Sequence, residues 1–272
     1  MTTDNGQRTK TVLTIAGFDP SAGAGVLADI KTIAAFGCYG AAVVTSVTHQ
    51  NTRGVFGADH LSASSVTAQL SALFDDFQIS SVKTGMLPAA EIIKAVAEML
   101  SEKKVSHFVL DPVIRSTSGY DLIDSQAARS LIENLFPLAT VVTPNRAEAE
   151  RLTGLRIEGA ETMTKAARVI RDLGARAVLI KGGEGEGREA VDLLVDASGE
   201  IFYSAQRIDS RNTHGTGCAL SSALACLLAL GHTLGESVSI AKRYITEAIG
   251  SAPGLGHGHG PLDHFPPDFQ IE

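Results

Sequence analysis

The clearest chemical spacing in the chain lies between residues 212 and 218. Asn212-Thr-His-Gly-Thr-Gly-Cys218 runs directly into the apolar stretch Ala219–Leu230, which reads as a helix. Glycines entering a helix expose several backbone N–H groups at its positive end, which suits an anionic, transferring phosphoryl group. Cys218 then falls in the first turn, where a thiol pKa is lowered. The plainer reading is a small buried cysteine, as Cys38 and Cys226 are read. Other patterns compete less well. Gly23-Ala-Gly25-Val-Leu-Ala28 matches the glycine pattern of dinucleotide sites, but residues 17–22 separate it from the preceding strand. The next strand ends in His49-Gln50, without the acidic residue that would hold a ribose hydroxyl. No G-x-x-x-x-G-K-[ST] stretch exists, which excludes an ordinary P-loop. His214 and Cys218 lack an evident third residue for a thiol hydrolase, and no Ser/His/Asp triad can be ordered. Gly254-Leu-Gly-His-Gly-His-Gly260 reads as a tight turn rather than a metal site.

The elements that must position these residues alternate. Apolar, β-branched runs at Thr11–Ala16, Tyr39–Val47, Ser81–Thr84, His107–Leu110, Thr140–Thr143 and Ala177–Lys181 read as strands. Helical patterns lie between them near 24–36, 62–76, 88–103, 124–135, 145–153 and 160–173, and two more helices, 216–230 and 234–250, close the chain. This alternation predicts βαβ units, a mostly parallel sheet and helices on both faces. Val191–Val195 and Ile201–Ser204, separated by Asp196-Ala-Ser-Gly-Glu200, read as a hairpin that makes one edge antiparallel. Ligands of such sheets sit at the carboxyl ends of the strands. Here those ends carry Gly17-Phe-Asp19, His49-Gln-Asn51, Gly85-Met86, Asp111-Pro-Val113, Thr143-Pro-Asn145 and Lys181-Gly-Gly183. With no repeat or linker, residues 10–272 read as one domain behind a polar tail, 1–9, expected to be disordered.

Composition narrows the class. The 272 residues are 44% hydrophobic and 19% charged, enough for a sizeable core. The longest apolar run, Ala223–Leu230, is far short of the ~20 residues that span a bilayer. Met1–Lys10 is polar and unlike a signal peptide, and three cysteines make no closed disulfide framework. Those features predict a cytoplasmic protein with reduced thiols and no membrane partner. A net charge of −7 argues against a nucleic-acid partner. It leaves room for a phosphorylated ligand held by local amides and one or two cations.

Several stretches, in order over residues 10–265, carry a resemblance. They are Thr14-Ile-Ala-Gly-Phe-Asp-Pro-Ser-Ala-Gly-Ala-Gly25, Ala28-Asp-Ile-Lys-Thr32, Gln50-Asn-Thr-Arg-Gly-Val55, Lys83-Thr-Gly-Met86 and Asp111-Pro-Val113. Thr143-Pro-Asn145 with Glu148, Lys181-Gly-Gly183, His214-Gly-Thr-Gly-Cys218 and Gly260-Pro-Leu-Asp-His-Phe265 complete them. Together they resemble the hydroxymethylpyrimidine/phosphomethylpyrimidine kinases of thiamin biosynthesis, in the ribokinase-like superfamily. The resemblance implies an α/β fold, a three-layer αβα sandwich whose central sheet is mostly parallel with an antiparallel edge. It implies transfer of the γ-phosphoryl of MgATP to 4-amino-5-hydroxymethyl-2-methylpyrimidine and then to its monophosphate, by a homodimer. An anion hole is implied at Gly215 and Gly217. Cys218 stands where many sugar kinases carry an aspartate base. Gln50 matches the residue that reads the aminopyrimidine edge, and Gly17, Asp29, Met86 and Val113 match other pocket positions. Asp111 and Glu148 match the Mg²⁺ region, and Lys181, Thr213 and Asn145 the ATP side.

The chemistry of the side chains agrees. A carboxamide complements an amino group beside a ring acceptor, and phosphoryl transfer asks for charge neutralisation and alignment more than covalent chemistry. Plainer readings stand beside these: Gln50 as a polar strand end, Asp29 as a solvated helix residue, Met86 and Val113 as core, Asp111 as a loop cap. Three positions depart from the family pattern. Ala22 replaces a glycine. His49 replaces a small residue and is expected to alter the pocket edge. Thr117-Ser118-Gly119 stands where Lys-Ser-Gly is usual, which predicts a slower second transfer unless Arg115 or Lys181 compensates. The alternatives are a pyridoxal/pyridoxine kinase of the same superfamily and a non-catalytic vitamin-precursor binding protein. Gln50 disfavours the first, since pyridoxine has no amino group to read; the set Asp111, Glu148, Lys181, Gly215, Gly217 and Cys218 disfavours the second.

Overall fold

A computed structural model describes residues 9–114, 122–183 and 187–271. Arg115 and Thr117, with the expectation about the second transfer that depends on them, lie outside the described residues, as do residues 1–8 of the N-terminal tail.

The elements follow the alternation read from the sequence: β1 (Thr11–Phe18), α1 (Gly25–Ala35), β2 (Tyr39–Asn51), β3 (Gly54–His60), α2 (Ala63–Asp76), β4 (Ile79–Thr84), α3 (Ala90–Glu102) and β5 (Phe108–Leu110). Then come α4 (Ser125–Asn134), β6 (Val141–Val142), α5 (Arg146–Thr153), α6 (Ala160–Asp172), β7 (Val178–Ile180), β8 (Glu189–Asp196), β9 (Gly199–Gln206), α7 (Thr216–Leu230) and α8 (Leu234–Gly250). They build one sheet, ordered β3-β2-β1-β4-β5-β6-β7-β8-β9. Strands β2, β1, β4, β5, β6 and β7 run parallel, and β8 and β9 form the expected antiparallel edge. The opposite edge is antiparallel as well, because β3 folds back on β2. The sequence reading contains no β3: Gly54-Val-Phe-Gly-Ala-Asp-His60 has two glycines and no clean alternation, so pairing rather than propensity makes it a strand.

Successive side chains of the parallel strands enter two cores. Leu13, Phe108, Leu110, Val142, Val178 and Ile180 join a core with α2, α3, α4 and α6 on one face. Val12, Val109, Val141 and Leu179 join a second core with α1, α7 and α8 on the other. Burial on both faces explains why these strands read as continuous apolar runs. Helix α7 is buried from Ala219 to Ala229, because the sheet, α1 and α8 cover it on several sides. Its apolar wrapping fixes the direction in which residues 215–218 point.

Candidate active site

The start of α7 is made by interlocked loops. Gly215 is its N-cap in the left-handed region, φ 83°. A Cβ there would overlap the Gly23 carbonyl, and one on Gly23 would overlap the His214 ring. Gly25, also left-handed at φ 59°, leaves no room for a Cβ beside the Gly17 carbonyl. The glycines of the 23–28 pattern thus allow one loop to lie against another rather than against a dinucleotide. Asp19, 1% exposed, organises this contact. It accepts hydrogen bonds from Ser21 N–H and Oγ (2.8 Å each) and from Ala24 N–H (2.9 Å), and pairs with His214 Nε2 at 2.8 Å. Burial works to raise the pKa of this carboxyl, but the bonds from His214 and Ser21 outweigh it and hold it below the ordinary value. The strand-end stretch Gly17-Phe-Asp19 hints at this role, but its partner is distant in sequence.

Lys181, Asp111 and Gly217 converge. Lys181 Nζ donates to Asp111 Oδ1 at 2.9 Å, and Thr143 Oγ1 to the same oxygen at 3.2 Å. A Cβ on Gly217 would lie 3.1 Å from Lys181 Nζ and 3.5 Å from Asp111 Oδ2. The backbone of the glycine loop therefore faces a lysine–aspartate pair that stands just past the carboxyl ends of β7 and β5. Glu148 joins them through a capping box on α5: Asn145 N–H donates to Glu148 Oε2 and Glu148 N–H to Asn145 Oδ1, both at 2.8 Å. Asn145 is thus the helix cap, bridged to Lys181 along the backbone. Burial pushes the Glu148 carboxyl up to about 7; Lys181 opposes this and Asp111 adds to it. Burial works to lower the Lys181 pKa, but Asp111 and Glu148 reverse that and raise it. Two buried carboxylates thus face one lysine. That donor set fits a divalent cation, which with nucleotide phosphates and water needs only one or two carboxylates. Thr213 takes a backbone part here, its carbonyl accepting from Thr216 N–H (3.3 Å) and Oγ1 (2.7 Å).

Asp29 is not the solvated helix residue of its plainer reading. Assigned by resemblance to the pocket, it is 0% exposed and lies beneath the site. Lys83 Nζ donates to both its oxygens (2.9 and 2.8 Å), Thr14 Oγ1 to one (2.6 Å) and Ser222 Oγ to the other (2.8 Å). Lys83 is itself 0% exposed, and Asp29 holds it charged, with a raised pKa that burial alone would lower. A lysine inside a buried parallel strand was a legible signal of an ion pair. Cys218 corrects an expectation. Burial pushes its thiol up to about 11. Lys83 and a Gly25 N–H pull the other way, but Asp29 and Asp111 add to the rise. Desolvation thus outweighs the helix start, and Cys218 is a neutral thiol near neutral pH.

The residues expected on the acceptor side lie next to this cluster. Gly17 and Met86 are buried against each other, a Cβ on Gly17 lying 3.3 Å from Met86 Sδ. Gly17 also abuts Gly25, its carbonyl lying where a Cβ on Gly25 would stand. Val113 is half-buried in a turn after Asp111, its N–H bonded to the Asp111 carbonyl at 2.9 Å. Gln50 is half-buried near the end of β2, opposite the point where β3 bulges at Phe56. His49 does not shape the pocket edge: it turns to solvent and pairs with exposed Asp59 at 3.0 Å. Strand alternation puts it on the face opposite Gln50.

Comparison with known proteins adds a family. A phosphomethylpyrimidine kinase family model matches residues 19–263. A hydroxymethylpyrimidine/phosphomethylpyrimidine kinase of Rhizobium meliloti is 48% identical over 260 residues, covering 94% of this chain and 97% of that protein. A thiamine biosynthesis bifunctional protein, ThiED, of Geobacter sulfurreducens is 49% identical over 254 residues; the match covers 93% of this chain but 52% of that protein, about half its length. Among solved structures, an ADP complex of Bacillus subtilis pyridoxal kinase superposes with a TM-score of 0.88 at 35% identity, covering 95% of this chain and 98% of that one. A phosphomethylpyrimidine kinase of Clostridium difficile gives 0.78 at 43% identity, covering 89% and 100%.

Proposed function

The chain belongs to the phosphomethylpyrimidine kinase family, and from that premise we propose how its own residues work. It is an ATP-dependent kinase of thiamin biosynthesis that phosphorylates hydroxymethylpyrimidine and then phosphomethylpyrimidine. The backbone N–H groups of Gly215–Gly217 and the positive end of α7 receive the transferring phosphoryl group. Lys181, aimed by Asp111, neutralises its developing charge. Asp111 and Glu148 would hold Mg²⁺, which would supply positive charge to the transferring phosphoryl group. Asn145 and Thr213 shape the ATP side. Gln50 reads the aminopyrimidine edge, and Gly17, Met86 and Val113 line the ring. Asp29 supports them from below through Lys83 and Ser222. In a loose transition state the acceptor hydroxyl keeps its proton until the P–O bond has largely formed. A neutral Cys218 therefore orients that hydroxyl. The proton passes to a phosphoryl oxygen and on to water, and the thiol keeps its own. A homodimer and a cytoplasmic location complete the proposal; among the described residues no helix is long and apolar enough to cross a membrane.

The observation that carries this reading is the convergence of the Gly217 backbone, Lys181 and Asp111. It is tested by following ³¹P NMR of the protein with MgATP and hydroxymethylpyrimidine, with pyridoxal as the competing substrate. Monophosphate followed by diphosphate is expected. Monophosphate alone at every salt concentration, with faster turnover of pyridoxal, would favour the pyridoxal-kinase alternative, which the similarity to pyridoxal kinases keeps in view.

A further inference from the structure

The segment 254–260, read from the sequence as a tight turn, lies between two parts of the site. β2 pairs with β1 only as far as Val47, so His49–Asn51 and the facing residues of β3 project past the sheet as a two-stranded hairpin. Such a hairpin is marginal in water by itself, yet it carries Gln50. Its turn residue, half-buried Thr52, is docked by backbone donors. His257 N–H and Gly258 N–H donate to Thr52 Oγ1 at 3.2 and 3.3 Å, and His259 N–H donates to the Thr52 carbonyl at 2.8 Å. The contact is close enough to demand glycine: a Cβ on Gly256 would overlap the Thr52 side chain, and one on Gly258 the Thr52 carbonyl. The far end of the segment reaches the anion-hole loop. The Gly260 carbonyl accepts from His214 N–H at 3.1 Å, and a Cβ on Gly260 would overlap the Asn212 side chain. His214 is in turn held by Asp19. One short run of backbone thus joins the strand end bearing Gln50 to the loop bearing Gly215 and Gly217.

We propose that Thr52 is a positioning residue for the acceptor: through Gly256–Gly260 it sets where Gln50 stands relative to the anion hole. This rests on the roles given above to Gln50 and to Gly215–Gly217. Thr52→Val keeps the shape of the side chain and removes the acceptor of two N–H groups. The expected result is a KM for hydroxymethylpyrimidine raised about tenfold, with the KM for ATP unchanged and the thermal midpoint lowered by only a few degrees. Amide hydrogen exchange at residues 50–55 should rise by a similar factor. Thr52→Ser keeps the hydroxyl and should restore all of these. Gly258→Ala displaces the hairpin without altering any of its side chains and should reproduce the same split. If Thr52→Val acts and Gly258→Ala does not, Thr52 touches the substrate directly and the proposal fails. It fails equally if both KM values rise together with a strongly lowered thermal midpoint, since that marks general structural damage, or if exchange at 50–55 is unchanged. Gln50→Leu, measured alongside, keeps the two readings apart. An unaltered pyrimidine KM in that variant removes Gln50 from substrate reading, whereas the exchange rates report on the tie alone.

Discussion

Lys83→Met separates a support beneath the site from a residue that touches substrate. In the native protein Lys83 and Asp29 are both fully buried, their charges 2.8 Å apart, with Thr14 and Ser222 completing the bonds to the carboxylate. Methionine leaves Asp29 as a buried charge without its cation, and breaking a buried pair from one side costs about 3–5 kcal/mol. At ~2–4 °C per kcal/mol for a chain approaching this size, the thermal midpoint falls by roughly 6–20 °C. Adding Asp29→Asn removes the orphaned charge and keeps one oxygen to accept from Thr14 or Ser222, while its NH2 can donate to the other hydroxyl, so the double variant should melt above Lys83→Met. Because Asp29 raises the Lys83 pKa, the contribution of Lys83 is complete below its unfolded-state value of ~10.4 and is lost only as pH climbs through the folded value. No pH change near neutrality therefore imitates the mutation. The assay is thermal and urea unfolding of wild type, both single variants and the double, with pyrimidine affinity measured by calorimetry. A Lys83→Met midpoint within 2 °C of wild type, or a double variant less stable than Lys83→Met, would refute the buried-pair account. Loss of pyrimidine affinity in Asp29→Asn at unchanged stability would return Asp29 to the pocket.

Glu148, raised from an ordinary 4.5 to about 7, binds its proton more tightly folded than unfolded, so its contribution favours the fold in acid and is lost as pH rises across that window. Glu148→Gln should therefore gain stability at pH 8 without Mg²⁺, by up to about 3 kcal/mol, and should not gain from added Mg²⁺ as the proposed site has the wild type do; pH-dependent unfolding with and without the ion reads both. With its thiol near 11, Cys218 stays protonated at pH 8. Iodoacetamide labelling of its peptide, followed by mass spectrometry, should still rise with pH beyond pH 9, and a plateau below pH 8.5 would restore a thiolate base. Gly217→Ala places a Cβ 3.1 Å from Lys181 Nζ. Alanine keeps the backbone N–H, so the effect is displacement of the loop or of Lys181; it should lower kcat by up to ~10²-fold, the order that a small misplacement costs, with the thermal midpoint little changed; steady-state kinetics and unfolding together check it.

The sequence by itself determines the periodic and the local. Strand and helix spans follow from apolar period. The glycine turn at the mouth of an apolar helix is likewise written in adjacent residues. These features depend on neighbours within a few residues, so the chain displays them directly. Tertiary structure decides what depends on burial and on distant partners. Asp29 meets Lys83 across 54 residues, Asp19 meets His214 across 195, and Thr52 meets Gly258 across 206. No local pattern states that Asp29 is sealed under the site, that His49 faces Asp59, or that Gly54–His60 becomes a strand by pairing with β2. The Cys218 thiol shows the reason most directly. The helix start that lowers a thiol pKa is written in adjacent residues, but the desolvation that overrides it comes from loops and strands folded over the head of α7 from elsewhere in the chain.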